Sequence, residues 1–319
     1  MTKITYLSKF DGSQQPAYIA PASGREPRPL AVCLHTWSFG MEGQKEGFLA
    51  RCRERNWHFI FPHFRGPNWT PEACGSEQVV SDIEGAVEYM RNNYAVDCSR
   101  IFLVGGSGGG HAALLMAGRR PGLWTAISAW CPISDIAAWY VQCRARKMSY
   151  ADHIFAACGG DVVNCPEATE QARLRSPLTW LGRVADATVT NASAGPIIDI
   201  GTGIHDGHLC SSVPISHAIL AFNRLAAPED RISDEDITFM VDNESVPPHL
   251  RFDGEDPAYG PYKVLLRRVS GNVRLTLFEG GHDILLTSAF GFFDHQVRGN
   301  SPVWFSGIQP EVDPSVLSK

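Results

Sequence analysis

Three short segments carry residue types that together could activate a serine toward a carbonyl group. Gly105-Gly106-Ser107-Gly108-Gly109 matches G-x-S-x-G and lies between an apolar run, RIFLVGGS, and a run rich in small residues, GGGHAALLMAG. In a strand-turn-helix setting the serine is forced into a strained conformation, and glycines flank it because a Cβ there would collide with the neighbouring strand and helix. The hydroxyl of Ser107 then projects at a helix N-terminus, whose dipole favours developing negative charge. A phosphate-binding loop is the competing reading, but GGSGGGH has no Lys followed by Ser or Thr and no G-x-G-x-x-G spacing with an acidic partner.

A serine hydroxyl is a poor nucleophile until a base takes its proton. His282, in LFEGGHD, follows the last apolar run, and two glycines let its loop turn back toward the nucleophile. The imidazole in turn needs a carboxylate to fix its tautomer and stabilise the imidazolium. Asp206, in GIHDGH just past PIIDIGTG, is the choice; Asp199 competes but lies within the run, where its side chain would point into a sheet face. HDGHLC could also be taken for metal ligands, although the spacing suits no standard site, and neither a metal nor an organic cofactor is expected. The tetrahedral intermediate needs two backbone donors, the N–H of Gly108 and one from the loop after PLAVCLHT, where Trp37 ranks ahead of Thr36.

Candidate substrate contacts are Trp69, Arg65 and Trp130. With Trp37, Trp139 and Tyr140, the tryptophans fall in segments that could surround the nucleophile, and their flat faces suit sugar rings or aromatic acids; packing beneath a cap is the competing role. Arg65, in FRGPNW, could meet a substrate carboxylate or carbonyl, but a surface or loop-bracing ion pair ranks ahead of that role. His111, one turn into the helix after Ser107, reads as a packed helix residue and stays outside the site.

Positioning these groups requires alternating strands and helices. Residues 4 to 10 and 17 to 20 read as an antiparallel edge pair around DGSQQP. PLAVCLHT (29 to 36), WHFIFPHF (57 to 64), RIFLVGGS (100 to 107), WTAISAW, PIIDIGTG (196 to 203) and RLTLFEGG (274 to 281) read as buried strands. Helices are expected over 42 to 56, from Ser76 to Tyr94, over 108 to 118, 214 to 226 and 284 to 297, because parallel neighbours need a crossover. The reading is an α/β fold with a mostly parallel sheet of about eight strands flanked by helices. It forms a single domain over 1 to 319, with a helical cap-like insertion at about 133 to 190.

A formal net charge of −6 leaves no excess of positive charge for phosphates, so neither a nucleic-acid nor an anionic-membrane partner is expected. The first residues, MTKITYLSKFDGS, lack the apolar core of a signal peptide, which points to a cytoplasmic protein. Nine cysteines, without a CxxC pair, fit reduced thiols, although Cys158 and Cys165 bracket a GGDVVN loop short enough to be closed by a disulfide in an exported protein.

With GGSGGGH, IHDGHLCSSVPISHAILAFN and FEGGHD in this order, the chain resembles the prolyl-oligopeptidase-like branch of the α/β hydrolases, acetyl esterases among them, from about residue 29 to 297. FRG at 64 to 66 and SPLTW at 176 to 180 add to the resemblance, which implies Ser107, Asp206 and His282 as the triad. Two departures are the longer segment between the acid and VP, and HTWS in place of HGG. Peptidases of the branch carry a separate propeller domain for which this chain has no spare length, so the expectation is a small ester as substrate, a sugar ester among the candidates. The alternatives are a serine peptidase acting on short peptides and a non-catalytic binding protein on the same scaffold.

Overall fold

Each buried apolar run of the sequence becomes a strand, and each amphipathic run between them becomes a helix laid across the sheet. The computed structural model describes residues 1–190, 195–208 and 212–304, with the side chains of 185–190 outside the description. Its strands are β1 (Thr2–Leu7), β2 (Gln14–Ala20), β3 (Arg28–Leu34), β4 (His58–Pro62), β5 (Val96–Gly106), β6 (Ala126–Trp130), β7 (Ile197–Gly203), β8 (Val264–Ser270) and β9 (Val273–Phe278). They form one nine-stranded sheet in the order β1-β2-β4-β3-β5-β6-β7-β9-β8. The six strands from β4 to β9 in that order are parallel, and antiparallel partners close both edges.

The α/β-hydrolase architecture expected from the sequence is therefore present, with one strand more than the eight expected. The additional strand, β8, alternates buried aliphatic residues with Arg267 and half-buried neighbours, a weaker signal than the continuous apolar runs of the interior. Register brings the C-terminal ends of the central strands to one rim: Gly105 pairs with Leu34 and Ala129, Trp130 with Gly201, and Gly203 with Phe278. Ligand sites of open parallel sheets form outside such a rim, because loops rather than helices close it.

Ten helices are described: α1 (Glu46–Glu54), α2 (Glu77–Asn93), α3 (Gly108–Arg119), α4 (Ile136–Ala145), α5 (Tyr150–Cys158), α6 (Pro166–Arg175), α7 (Pro177–Thr190), α8 (Ser216–Leu225), α9 (Asp234–Asn243) and α10 (Leu286–Phe293). Ser76 starts α2 by accepting a hydrogen bond from the Val79 N–H at 3.2 Å, and Val79, Val80, Ile83, Ala86, Val87 and Met90 turn inward at helical spacing. α3 is buried from Gly108 to Gly118, which its small side chains permit.

Four helices fill the interval from 133 to 190, and they divide by where their apolar faces go. α4, α5 and α6 share a separate cluster that includes Ile136, Trp139, Ile154, Ala157, Ala168 and Ala172 and reaches Trp37 below. α7 instead joins the main core through Leu181 and Val184. It lies so close to α3 that a Cβ on Gly118 would stand 2.6 Å from that of Trp180. No helix among the described residues is long and apolar enough to cross a membrane.

Candidate active site

Ser107 occupies the turn between β5 and α3 with φ 57° and ψ −120°, a strained conformation for a residue with a side chain. The turn is held on both sides: its N–H donates to the Trp130 carbonyl at 2.8 Å, and its carbonyl accepts from the His111 N–H at 2.9 Å. A Cβ on Gly105 would stand 2.5 Å from the Gly109 carbonyl, and one on Gly109 would stand 2.7 Å from the Leu34 oxygen. The glycines are thus required by contact between backbones on either side of the serine.

The same crowding describes the neighbouring donors. A Cβ on Gly108 would lie 2.5 Å from the Trp37 nitrogen, so the backbones of Gly108 and Trp37 touch just past the end of β3. No hydrogen bond among the described residues uses the Trp37 N–H. Asn68 holds the next peptide of this loop: its N–H donates to the Trp37 carbonyl at 2.9 Å, while its Oδ1 accepts from the Cys74 N–H. Asn68 was not singled out in the sequence, where nothing local marks it.

Beyond β7 and β9 the two remaining candidates meet. His282 Nδ1 and Asp206 Oδ2 are 2.7 Å apart, with the Asp206 side chain fully buried and that of His282 26% exposed. The second carboxylate oxygen of Asp206 accepts from the Val213 N–H at 3.2 Å. Backbone bonds from Ile204 to Phe278 and from His205 to Gly280 continue the β7–β9 pairing past the strand ends and hold the two loops together. Further out, His205 places Nδ1 2.7 Å from Glu244 and Nε2 2.6 Å from Glu279. Both partners are carboxylates, which favour the doubly protonated imidazole and hold its pKa above the usual histidine value.

Ser107 and His282 line one cavity of about 380 Å³. Among the described residues no hydrogen bond joins the hydroxyl to the imidazole; bonds of this kind often tighten only when substrate is bound. Trp37, Phe39, Tyr150 and Ile284 give the cavity apolar surface, and Thr36, Ser38, Gln44 and Ser212 give it polar surface. Cys131, one residue past β6, also faces it, and its thiol donates to the Asp283 carbonyl at 3.4 Å. Cys131 directly follows the strand next to the one that leads to Ser107.

The expected substrate contacts are largely corrected. Arg65 is a brace: its guanidinium reaches Asp82 of α2 at 2.5 Å, Asp11 of the β1–β2 turn at 2.8 Å and the Ser8 hydroxyl at 3.1 Å. A guanidinium held this way lies outside the residues that line the cavity and is not placed to orient a substrate there. Trp130 is wholly buried at the end of β6, with its indole N–H on the Ser128 hydroxyl and its ring against Tyr259 and Phe278. Trp139 and Tyr140 are likewise buried in the α4–α6 cluster. Trp69 is 40% exposed and packs on His153, outside the residues that line the cavity.

Other readings stand as the sequence had them. Asp199 is buried within β7 and paired with Arg274 at 2.7 Å. His111 is buried with Nε2 2.8 Å from the Arg175 carbonyl. Cys158 and Cys165 are free thiols. Of HDGHLC, Leu209 and Cys210 lie outside the described residues.

Comparison with known proteins agrees with this geometry. Residues 59–154 match the prolyl oligopeptidase family. Among solved structures, an acylaminoacyl peptidase in complex with Z-Gly-Gly-Phe-chloromethyl ketone superposes with a TM-score of 0.61 at 14% identity, over 95% of this chain and 43% of that one. Oligopeptidase B from Leishmania major gives 0.58 at 16%, over 88% of this chain and 33% of that one. A puromycin-hydrolyzing peptidase from Mycobacterium tuberculosis gives 0.56 at 15%, over 94% and 41%. This chain therefore spans well under half the length of each. By its sheet, its nucleophile-type turn and these similarities, the chain is an α/β-hydrolase-fold protein that carries a prolyl oligopeptidase family match over residues 59–154.

Proposed function

We propose that the protein is a serine hydrolase that cleaves acyl bonds of short peptides, with Ser107 as nucleophile, His282 as base and Asp206 as the acid behind it. The observation that carries the reading is the 2.7 Å contact between a buried carboxylate and an imidazole that shares a cavity with a strained serine. Ser107 attacks the carbonyl carbon as the imidazole takes its proton, and the imidazolium, steadied by Asp206, returns that proton to the leaving amine. The N–H groups of Gly108 and Trp37 hold the oxyanion. Water then repeats the cycle on the acyl-enzyme and regenerates the hydroxyl.

Peptides rank ahead of the sugar esters expected from the sequence for two reasons. The aromatic platform that suggested sugars is mostly buried, at Trp130, Trp139 and Tyr140, and the solved structures of like fold are named as peptidases. The same relay cleaves simple esters, whose alcohol leaves with less help from the histidine.

The test compares an N-acyl dipeptide anilide with an acetyl ester on wild type and Ser107→Ala. The variant should lose both activities by about 10⁶-fold, the size seen when a triad serine is removed elsewhere. It should also fail to react with a fluorophosphonate that labels the wild type. Retained activity would remove Ser107 as nucleophile, and ester turnover without any amide turnover would return the substrate class to esters.

A further inference from the structure

We propose that the cleft is also a binding site for a soft divalent cation of the zinc type, held by Cys131 Sγ, the Asp206 carboxylate and the His282 imidazole. One donor atom from each lies within 4.8 Å of the other two. The three residues come from separate segments, directly after β6, past β7 and past β9, so neighbouring parallel strands deliver them to one point of the rim. Cys131 has φ 44°, and this left-handed turn at the strand end is what sets its thiol beside the carboxylate. Cys131 and His282 both face the cavity, which leaves a fourth position open to water or an anion.

Zinc takes a thiolate at about 2.3 Å and imidazole or carboxylate donors at about 2.0 Å, in a tetrahedron that tolerates three protein ligands and one open site. The mutual spacing approaches that shell through side-chain shifts in both directions: the 2.7 Å contact between Asp206 and His282 opens, and the longer separations within the group close. A thiolate with an imidazole selects zinc or cadmium over magnesium or calcium, which prefer oxygen throughout. On binding, the thiol gives up bonds to the Asp283 carbonyl at 3.4 Å and from the Thr202 hydroxyl at 3.7 Å, and its existing interaction with the Asp206 carboxylate places the two ligands side by side.

Proton balance fixes the consequence. On binding, the thiol releases one proton to solvent, and the imidazole proton on Nδ1, the nitrogen that faces Asp206, moves to Nε2 as the cation takes its place. Nε2 then carries a hydrogen and has no lone pair for the Ser107 proton. The cation therefore inhibits hydrolysis by locking the base in the wrong tautomer. This last step rests on the proposed triad, whereas the binding itself does not.

Cobalt(II) titration of Ser107→Ala reads binding without any activity. One equivalent should produce a thiolate-to-cobalt charge-transfer band that zinc displaces, magnesium leaves, and both Cys131→Ser and His282→Gln abolish, each variant checked for a native circular dichroism spectrum. On the Ser107-containing protein, Cys131→Ser should raise the half-inhibitory zinc concentration at least about 100-fold, each protein measured against its own rate in chelator. No band in the parent, a band that survives Cys131→Ser, or equal zinc sensitivity in both proteins would overturn the site. A band as expected with undiminished hydrolysis at saturating zinc would overturn the inhibition and, with it, the placement of His282 as the base.

Discussion

Neighbouring strands β7 and β9 bury a carboxylate against a basic side chain twice, once within the sheet and once beyond its rim. Asp199 and Arg274 are register partners, both side chains have no exposure, and the guanidinium never deprotonates under ordinary conditions. Asp206 is equally buried, but its partner is an imidazole, 26% exposed and facing a cavity. Two pairs of the same 2.7 Å length therefore differ in what they can do. A permanent cation sealed in the sheet can only hold the strands in register, whereas a titratable base at an open rim can accept and return a proton.

That contrast breaks first if the rim pair can be dismantled without loss of rate. Asp206→Asn should lower kcat by about 10⁴-fold through the wrong imidazole tautomer, with the thermal midpoint little changed. Steady-state kinetics beside a melting curve decides it; a drop in stability with kcat preserved would make the rim pair a second brace.

The opposite outcome is expected inside the sheet. Arg274→Met leaves a buried carboxylate without its partner and should cost about 3–5 kcal/mol of stability. The rate per folded molecule should stay near that of wild type, as urea titration and active-site counting would report. The double replacement Asp199→Leu with Arg274→Met should recover most of the loss, because no charge then remains buried.

Acid tests a third kind of buried group, the imidazoles sealed in the core. Burial pushes His35, His111 and His217 down to about 4 from an ordinary value near 6.5. The unfolded chain binds protons in that window and the folded chain does not, so stability is full above about 6.5 and is lost as pH falls toward about 4. Urea midpoints that stay flat across this window would mean these rings are not the acid-sensitive groups.

The smallest effect belongs to His205. Its bonds to Glu244 and Glu279 raise its pKa, so its contribution is present below the ordinary value near 6.5 and disappears as pH rises through the raised one. The groups are solvent-exposed, which keeps the contribution under about 1 kcal/mol. His205→Gln should flatten that alkaline slope in melting experiments and leave the acid slope untouched.

What the sequence disclosed follows the same division between local and distant causes. The turn at Ser107 was legible because glycine spacing, strand and helix all lie within a dozen residues, and His282 and Asp206 because each directly follows a buried strand. Arg65 and Trp130 could be read in two ways, as substrate contacts or as a brace and a packed ring, because the destination of a long side chain is set by elements far away in the chain: Asp82 and Asp11 in one case, Tyr259 and Phe278 in the other. Strand β8 was missed because an edge strand with alternating burial lacks the continuous apolar run of an interior one. Cys131 is at the correct level of the rim, yet a lone thiol in a sequence does not announce which loop it will touch.

The apolar cluster shared by α4, α5 and α6 has a consequence for engineering. The segment packs largely on itself but shares its interior with Trp37 and Val213, so it can be exchanged as a cassette only if the graft keeps the surface that fits these two. The graft would have to retain the Arg175 latch, whose guanidinium holds the carbonyls of Pro71, Ala73 and Cys74 and whose own carbonyl meets His111. Libraries within residues 136 to 175 that keep that latch and the contacts to Trp37 and Val213 would vary the pocket wall around Tyr150.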